Sequence, residues 1–269
     1  MSEPEQEPPA GAHRRQLATG RFDLLVREEP LLLVVDGQQL LTMRTPGRDE
    51  DLALGFLLGE GIVQRASDVL SMQAIAGDAD AQRAFELQIT LRQPPDSLAR
   101  SRLARTHEIR SSCGVCGIAD PAAILDGTAP LLPGVPKVAT AKIKELVDAL
   151  RARQQLFAAT GGCHGALVAS ADGTVTGFGE DVGRHNALDK AIGEAARDGA
   201  DFAASLVILS GRAGFDLVVK CLRVRIPILV SVSAPSALAF DLCEGAGATL
   251  VGFARGDRHE VYCGAERLV

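Results

Sequence analysis

Residues 206–253 read LVILSGRAGFDLVVKCLRVRIPILVSVSAPSALAFDLCEGAGATLVGF, and this stretch decides the fold. Short apolar runs alternate with longer segments whose apolar residues recur at helical spacing. The pattern predicts strands over 206–209, 226–232 and 249–253, with helices over 215–224 and 236–245 between them. Because a β-α-β-α-β order joins parallel strands by helical crossovers, the sequence predicts a layered α/β domain.

The chain before residue 206 contains further predicted elements of both kinds. Nearest to it, the pattern predicts a helix over 142–158, a hairpin of strands 165–169 and 175–178, and a helix over 184–196. Closer to the N-terminus it predicts strands over 22–26, 31–35, 40–44 and 85–91, and a helix that begins at Asp49 or Glu50. The fold class is therefore α/β for the C-terminal part and α+β for the chain as a whole.

A segment rich in proline and glycine divides the chain. Residues 125–136 contain three prolines and two glycines, so neither a helix nor a central strand can run through them. We predict a linker there, between a smaller N-terminal α+β domain over 21–135 and a C-terminal domain over 136–269. Residues 1–20 are polar and rich in Pro, Glu and Gln, which predicts a disordered tail.

Composition limits the classes of function. Hydrophobic residues make up 46% and charged residues 23% of the 269 residues, as is usual for a globular protein. No apolar run approaches the roughly 18 residues of a membrane span, and no signal-peptide core is present, so we expect a cytoplasmic protein. The net charge of -6 argues against nucleic-acid binding. Six cysteines without a secretion signal indicate reduced thiols, and Cys221 and Cys243 fit core positions.

Four polar segments follow or adjoin predicted strands, where ligands of parallel α/β sheets bind. Their glycines let backbone amides approach an anion. Their arginines and the N-termini of the helices that follow them carry positive charge, which favours anion binding. Together they predict a site for a polyanionic, nucleotide-like ligand. The segments are 179–186, 210–214, 231–236 and 253–258.

Two thiols stand three positions apart in Ser-Ser-Cys113-Gly-Val-Cys116-Gly. Such a pair serves as a dithiol couple, as half of a zinc site, or as a reactive thiolate that carries a group. The chain has no second CxxC and no His-x-x-x-His, which disfavours zinc, and the flanking glycines favour a loop over the helix start of a thioredoxin-like couple. Arginines between residues 92 and 110 stabilise a thiolate, with Arg110 nearest. A carrier thiolate therefore fits best.

Six motifs carry a resemblance to a known family. They are Cys113-Gly-Val-Cys116-Gly, Gly179-Glu-Asp-Val-Gly-Arg-His-Asn-Ala-Leu-Asp-Lys190, Ser210-Gly-Arg, Val219-Lys220, Val232-Ser-Ala-Pro-Ser236 and Val251-Gly-Phe-Ala-Arg-Gly256. In these motifs the chain resembles the formate dehydrogenase accessory sulfurtransferases of the FdhD/NarQ family. The resemblance runs from about residue 22 to the C-terminus.

The resemblance implies a cytoplasmic sulfurtransferase that accepts sulfane sulfur from a cysteine desulfurase as a cysteine persulfide. The sulfur would pass to a bis(molybdopterin guanine dinucleotide) cofactor of molybdenum or tungsten. This acceptor, Mo-bis(molybdopterin guanine dinucleotide) in the molybdenum form, would then be inserted into formate dehydrogenase. Cys113 and Cys116 look like the sulfur-carrying pair, and which of them holds the persulfide stays open. The resemblance also implies a cytidine-deaminase-like, three-layer α/β/α C-terminal domain and a homodimer.

We expect the loops of the C-terminal domain to hold the phosphates and guanines of this acceptor. Arg212 and Arg258 suit phosphate, Phe253 suits a base, and His185 is placed near the pterin ends. The remaining candidate contacts are Ser210, Ser233, Ala254, Arg255, Gly256 and Asp257.

Several alternatives stay open at this point. The metal signature of the deaminases is missing, since no His-x-Glu occurs, and we therefore expect neither catalytic zinc nor deamination. A chaperone that binds the cofactor without transferring sulfur is a rival interpretation, as is a zinc or redox protein built on the CxxC pair. Cys163 either joins the relay or packs in the core, and its neighbour His164 is the more interesting residue.

Overall fold

The computed structural model describes residues 8–77, 84–108 and 128–269, so the predictions on Arg110, Cys113 and Cys116 lie outside the described residues. No helix in these ranges is long and apolar enough to cross a membrane. The helices are α1 Asp49–Gly59, α2 Ser97–Glu108, α3 Thr140–Arg153, α4 Gln155–Thr160, α5 Arg184–Arg197, α6 Phe215–Arg223 and α7 Ala237–Gly245. The strands are β1 Ala12–Gln16, β2 Phe22–Val26, β3 Glu29–Val35, β4 Gln38–Arg44, β5 Val69–Ile75, β6 Phe85–Leu91, β7 His164–Ser170, β8 Val175–Asp181, β9 Ser205–Leu209, β10 Ile228–Ser231, β11 Thr249–Arg255 and β12 Arg258–Cys263.

The stretch over residues 206–253 folds as predicted. β9, β10 and β11 are parallel neighbours, with Leu206 beside Ile228 and Leu229 beside Leu250. They belong to a six-stranded sheet of order β12-β11-β10-β9-β7-β8, in which the β7–β8 hairpin joins antiparallel to β9. The sequence pattern does not predict β12, and residues 253–258, predicted as a loop, instead form the β11–β12 hairpin.

Helices cover both faces of this sheet. On one face, α3 packs Ile143 and Leu150 into a core with Leu167 and Val230. On the other face, α5, α6 and α7 bury a second and larger core. The mixed α/β class is confirmed, and the cytidine-deaminase-like arrangement stays a prediction.

The N-terminal part forms a second sheet of order β4-β3-β6-β5. Its two central strands, β3 and β6, run parallel and turn alternate residues such as Leu31 and Leu33 inward. α1 covers this buried face, and Leu57 of α1 belongs to the same buried cluster as Leu188 and Leu217 of the C-terminal part. The division into 21–135 and 136–269 therefore separates two sheets that share one core, and it stays a prediction as a domain boundary.

α1 and α5 cross in direct backbone contact. A Cβ atom on Gly55 would lie 1.8 Å from the carbonyl oxygen of Asp189, and one on Gly193 would lie 1.9 Å from that of Asp51. Glycine within a helix costs about 1 kcal/mol relative to alanine, so helix propensity does not explain these two residues. Only glycine leaves the two helix backbones room to approach this closely.

Two predicted elements are corrected by the structure. Residues 12–16 do not belong to a disordered tail: they pair with β2, and Ala12 is buried with Leu156 and Cys163. The helix predicted over 142–158 is two helices, because Gln154 takes φ −75° and ψ 65° between α3 and α4. The side chain of Gln154 is buried against Gly165, where a Cβ atom would approach it to 2.9 Å.

Gly193→Ala should destabilise the protein by at least about 2 kcal/mol, because the new methyl group must displace the α1 backbone. Gly245→Ala at the end of α7 is the matched control, since nothing lies within 4 Å of its Cβ position. Urea unfolding followed by circular dichroism measures both free energies. Equal stability of Gly193→Ala and wild type would show that the helices are free to separate.

Candidate functional site

A groove lies at the carboxyl ends of β9 and β10. Arg212 and Phe215 line it from the β9–α6 side, and Pro235 and Ser236 line it from the β10–α7 side. Both helices begin beside it, and Ser236 caps α7 by accepting a hydrogen bond from the backbone N–H of Ala239 at 3.2 Å. Its volume of about 500 Å³ is that of a small-molecule site. Helix N-termini and guanidinium groups suit this groove to an anion.

One carboxylate organises the rim of the groove. Asp216, in the first turn of α6, contacts Nε2 of His185 and lies 3.4 Å from Nη2 of Arg184. Burial opposes ionisation of Asp216, but the hydrogen bond and charge of His185 and the charge of Arg184 outweigh it and lower its pKa to about 2. Asp216 is therefore ionised at physiological pH and holds both side chains at the groove.

His164, the first residue of β7, lies beside the β9–α6 loop. A Cβ atom on Gly211 would approach Nδ1 of His164 to 3.3 Å, so the imidazole packs closely on this glycine. Two hydrogen bonds fix the strand to the loop: the N–H of Gly165 donates to Oγ of Ser210 at 2.8 Å, and the N–H of Ser210 donates to the carbonyl of Gly165 at 3.0 Å. The Ser210 hydroxyl therefore already serves the fold.

Phe253 stands at a distorted point of β11. Its φ of 51° is left-handed, its side chain is 45% exposed, and the β11–β12 register shifts between Gly252 and Arg255. A bulge of this kind changes the direction in which a strand presents its side chains. The Phe253 N–H donates to the carbonyl of Ser233 at 3.1 Å, which places this exposed ring next to the β10–α7 loop.

The other residues of 253–258 differ in what they offer a ligand. Ala254 is buried in the core against α3, so its side chain is not available. Arg255 donates through Nε to the carbonyl of Val232 at 2.9 Å, and Gly256 forms the turn with φ 58°. Asp257 is exposed and pairs with Lys144 at 2.9 Å, while Arg258 is exposed at the start of β12. Phe253 and the two arginines are the accessible side chains suited to a nucleotide.

Most polar residues of the motif over 179–190 hold the fold together. Asp181 is fully buried and accepts hydrogen bonds from the N–H of Thr45 at 3.0 Å, Nζ of Lys190 at 2.7 Å and Nδ2 of Asn186 at 3.2 Å. Lys190 and Asn186 also donate to the carbonyls of Thr45 and Met43, at 2.8 and 2.7 Å. These contacts fasten α5 to the end of β4. Of this motif, Arg184 and His185 are the side chains at the groove.

A second buried charge cluster joins α1, α5 and α6. Nζ of Lys220 donates to both carboxylate oxygens of Asp189 at 2.9 and 3.0 Å, and it pairs with Glu60 at 3.1 Å. Burial alone would lower the pKa of Lys220, but the two carboxylates raise it. Glu60 also pairs with Arg223 at 3.1 Å. Lys220, like Lys190, therefore acts in packing although both belong to motifs that resemble the family.

The cysteines in the described ranges are poorly suited to act as thiolates. Burial raises the pKa of Cys221 and Cys243, which are fully buried as predicted. Burial also raises the pKa of Cys163, and the carboxylate of Glu180, which accepts from its Sγ at 3.2 Å, adds to this effect. Burial raises the pKa of Cys263 as well. Cys163 therefore packs in the core. Among the described residues no group of three His, Cys, Asp or Glu side chains could hold a metal ion.

The described chain resumes at Thr128, after the segment that contains the CxxC pair. Thr128 lines a small cleft with Arg102 of α2, Phe202 and Arg223. Phe202 precedes β9 and Arg223 ends α6, so this cleft lies at the amino-terminal ends of the parallel strands. The groove and the cleft are therefore at opposite edges of the sheet.

Comparison with known proteins places the chain in a family. A model described as the FdhD/NarQ family matches residues 26–269. The chain belongs to the FdhD/NarQ family. It is 46% identical to a sulfur carrier protein FdhD of Nocardia farcinica, over 97% of this chain and 91% of the relative. It is 42% identical to a sulfur carrier protein FdhD of Mycobacterium tuberculosis, over 96% of this chain and 99% of the relative.

A solved structure shares the fold of this FdhD/NarQ family member. It is a crystal structure described as that of a formate dehydrogenase accessory protein from Desulfotalea psychrophila. The two chains superpose with a TM-score of 0.72 and 24% identity, over 96% of this chain and 98% of the other. The likeness therefore extends over both sheets.

Two residues at the groove of this family member, Asp216 and Arg184, are hard to recognise from the sequence alone. Asp216 follows a glycine-rich turn at the start of a helix, and an aspartate there is usually a simple cap. Its partners, Arg184 and His185, lie 32 and 31 residues earlier, so no local pattern reveals them. Arg184 is visible in the motif over 179–190, but the motif does not show which of its polar residues face outward.

Asp216→Asn should lower the stability by about 2 kcal/mol at pH 6, because the variant loses a carboxylate whose pKa is held near 2. A depressed carboxyl pKa stabilises the fold above the pKa of the unfolded state, near 4, and this contribution is lost as the pH falls towards 2. The difference between wild type and variant should therefore shrink below pH 4.

Urea midpoints measured from pH 7 to pH 3 test this expectation. Asp241→Asn, which removes an exposed carboxylate of α7, is the control, and its curve should run parallel to that of the wild type. A difference for Asp216→Asn that stays constant over the whole range would contradict the assigned ion pairs.

Proposed function

We propose that this protein is a sulfur carrier: it takes sulfane sulfur from a cysteine desulfurase as a persulfide on the Cys113/Cys116 pair. The sulfur then passes to Mo-bis(molybdopterin guanine dinucleotide), the substrate that later enters formate dehydrogenase. The relatives named sulfur carrier protein FdhD, 46% and 42% identical to this chain, support the carrier role. The groove, where Arg184, Arg212 and two helix N-termini converge, is the observation that supports an acceptor bearing phosphate groups. We further propose that it works as a cytoplasmic homodimer.

Thiol chemistry accounts for both transfers. In the first, the Cys113 thiolate attacks the outer sulfur of the donor persulfide. A new S–S bond forms at Cys113, the S–S bond of the donor breaks, and the donor cysteine leaves as a thiolate. In the second, the acceptor supplies the electron pair of its new bond to sulfur, and Cys113 leaves as a thiolate. Cys116 assists as the neighbouring thiol.

The remaining cysteines support the choice of this pair. A sulfur carrier needs an accessible thiol that ionises readily, because the thiolate is the nucleophile. Cys163, Cys221 and Cys243 are buried, and burial raises the pKa of each. The pKa of Cys263 is raised as well. The four cysteines of the described ranges therefore do not meet this requirement, and the proposal assigns the sulfur to the Cys113/Cys116 pair of the sequence motif.

The length of the connecting chain is compatible with a carrier that serves two sites. Five residues lead from Glu108, the end of α2, to Cys113, and these can extend over roughly 17 Å. Twelve residues lead from Cys116 to Thr128 and can extend over roughly 40 Å. A five-residue strand such as β9 is roughly 17 Å long. At full extension the shorter segment therefore matches the length of such a strand, and the longer one exceeds it.

The groove offers contacts for each part of a guanine dinucleotide. Arg184 and Arg212 can bind phosphate oxygens, and the positive ends of the α6 and α7 helix dipoles lie beside them. The exposed ring of Phe253 can stack on a base, and Arg255 and Arg258 extend the cationic surface along the hairpin. His185 is held at the rim by Asp216.

Incubation with a cysteine desulfurase and cysteine should add about 32 Da to the protein, as expected for one persulfide sulfur. Mass spectrometry should map this adduct to Cys113 or Cys116, and reduction should remove it. The Cys113→Ala, Cys116→Ala double variant should lack the adduct and fail to support formate dehydrogenase maturation. Cys221→Ala, which removes a buried thiol, is the control and should keep the adduct.

Two results would contradict the carrier hypothesis. One is full maturation of formate dehydrogenase by the double variant, and the other is no adduct on wild type. The second result combined with cofactor binding would identify a chaperone that only escorts the cofactor. Stoichiometric zinc that is lost with Cys113→Ser would identify a metal site instead.

Arg212→Ala should weaken the binding of GDP at least about tenfold, because one charge-assisted hydrogen bond to phosphate is worth roughly 1.5–3 kcal/mol. Arg151→Ala, on the exposed side of α3, is the matched control and should leave the affinity unchanged. Isothermal titration calorimetry measures both. Equal affinities of the two variants would remove Arg212 from the phosphate site.

A further inference from the structure

We propose that binding of a phosphate-bearing anion in the groove is coupled to protonation of His164. The proposal rests on the anion-binding groove of the proposed function, and it is independent of sulfur transfer. It gives a role to a half-buried imidazole that neither the carrier chemistry nor the predicted ligand contacts use.

The topology fixes His164 beside the loop that is suited to bind phosphate. β7 runs antiparallel to β9, so the first residue of β7 lies next to the last residues of β9. The two hydrogen bonds between Gly165 and Ser210 hold this arrangement in place. The imidazole packs on Gly211, the residue before the groove-lining Arg212, and any side chain at position 211 would crowd Nδ1.

The charged groups around His164 come from four elements. From β8, Asp181 is the cross-strand partner of His164, and its carboxylate is paired with Lys190 at 2.7 Å. Arg184 and His185 face it from the start of α5, and Arg212 belongs to the loop packed on it. From α6, Asp216 supplies a carboxylate, which is engaged with both Arg184 and His185. Even when both imidazoles are neutral, the cations of Arg184, Arg212 and Lys190 exceed these two carboxylates by one charge. A proton on His164 therefore meets net repulsion until an anion arrives.

Burial and the neighbouring charges set the direction of the coupling. Burial lowers the pKa of His164, and the charges of Arg184 and His185 lower it further, so the imidazole is neutral near pH 7 in the free protein. A phosphate group adds about two negative charges to the same site. These charges favour the imidazolium, which raises the pKa of His164 in the complex and makes the protein take up a proton.

Proton uptake makes the affinity depend on pH in a definite direction. The bound state holds a proton that the free state lacks, so binding should strengthen as the pH falls through the pKa of the complex. Each unit by which the ligand raises this pKa contributes up to about a tenfold gain in affinity. We expect GDP to bind about tenfold more tightly at pH 6 than at pH 8.

Calorimetry with GDP as the probe tests the coupling on the full chain. Titrations at pH 7 in two buffers of different ionisation enthalpy give the number of protons taken up, which should be positive for the wild type. His164→Gln keeps a polar side chain of similar size but does not titrate, so its uptake should vanish and its affinity should become nearly independent of pH. His13→Gln, on the exposed hairpin strand β1, is the matched control and should behave like the wild type.

Three outcomes would overturn the proposal: no proton uptake by the wild type, unchanged uptake by His164→Gln, or no GDP binding at all. A histidine titration by NMR, with and without GDP, gives the same answer on wild type if the variant does not fold, since the chain has only five histidines. The His164 resonance should shift to a higher pKa with GDP, and an unchanged pKa would count against the coupling. GDP-linked uptake in a protein that forms no persulfide would leave this inference standing while the carrier function fails.

Discussion

The close crossing of α1 and α5 is the constraint on which the rest of the structure depends. Gly55 and Gly193 bring the two helix backbones into contact, and α1 carries the N-terminal sheet while α5 lies on the C-terminal one. The buried pairs Asp181–Lys190 and Asp189–Lys220 each include a residue of α5, and Asp189 lies at the crossing itself. Buried ion pairs add little net stability compared with apolar packing, but they fix one geometry because either partner alone is costly. The two sheets are thereby held at a single relative orientation.

The motif over 179–190 combines two tasks in twelve residues. Glu180 caps α4, Asp181 and Lys190 fasten α5 to β4, and Asp189 holds Lys220. Arg184 and His185 lie between these residues in the motif, and the carboxylate of Asp216 holds both of them at the groove. The side chains at the groove are therefore positioned by the same helix that joins the two halves of the protein. A change in the packing of α5 would be transmitted directly to the groove.

Local sequence patterns predicted the helices and strands that are determined by apolar periodicity. They failed where contacts with residues distant in sequence determine the structure. The alternation over 206–253 is set by apolar periodicity, and the parallel strands and their helices follow it closely. β1 is polar in sequence and becomes a strand because β2 pairs with it. The break at Gln154 arises from packing on Gly165, eleven residues later, and the role of Asp181 depends on Thr45, 136 residues away. The arginines that line the groove could be predicted from its loops, whereas the His185–Asp216 contact could not.

The long separation between Thr45 and Asp181 also bears on synthesis of the chain. The N-terminal sheet and α1 leave the ribosome well before α5, at roughly 5–20 residues per second. Until α5 appears, the glycine face of α1 and the carbonyl groups at the end of β4 lack the partners that satisfy them in the native fold. The first half of the molecule must therefore wait several seconds with an incomplete core. Its native state is reached only when the C-terminal half arrives, which makes a nascent chain cut short before α5 a target for quality control rather than a stable fragment.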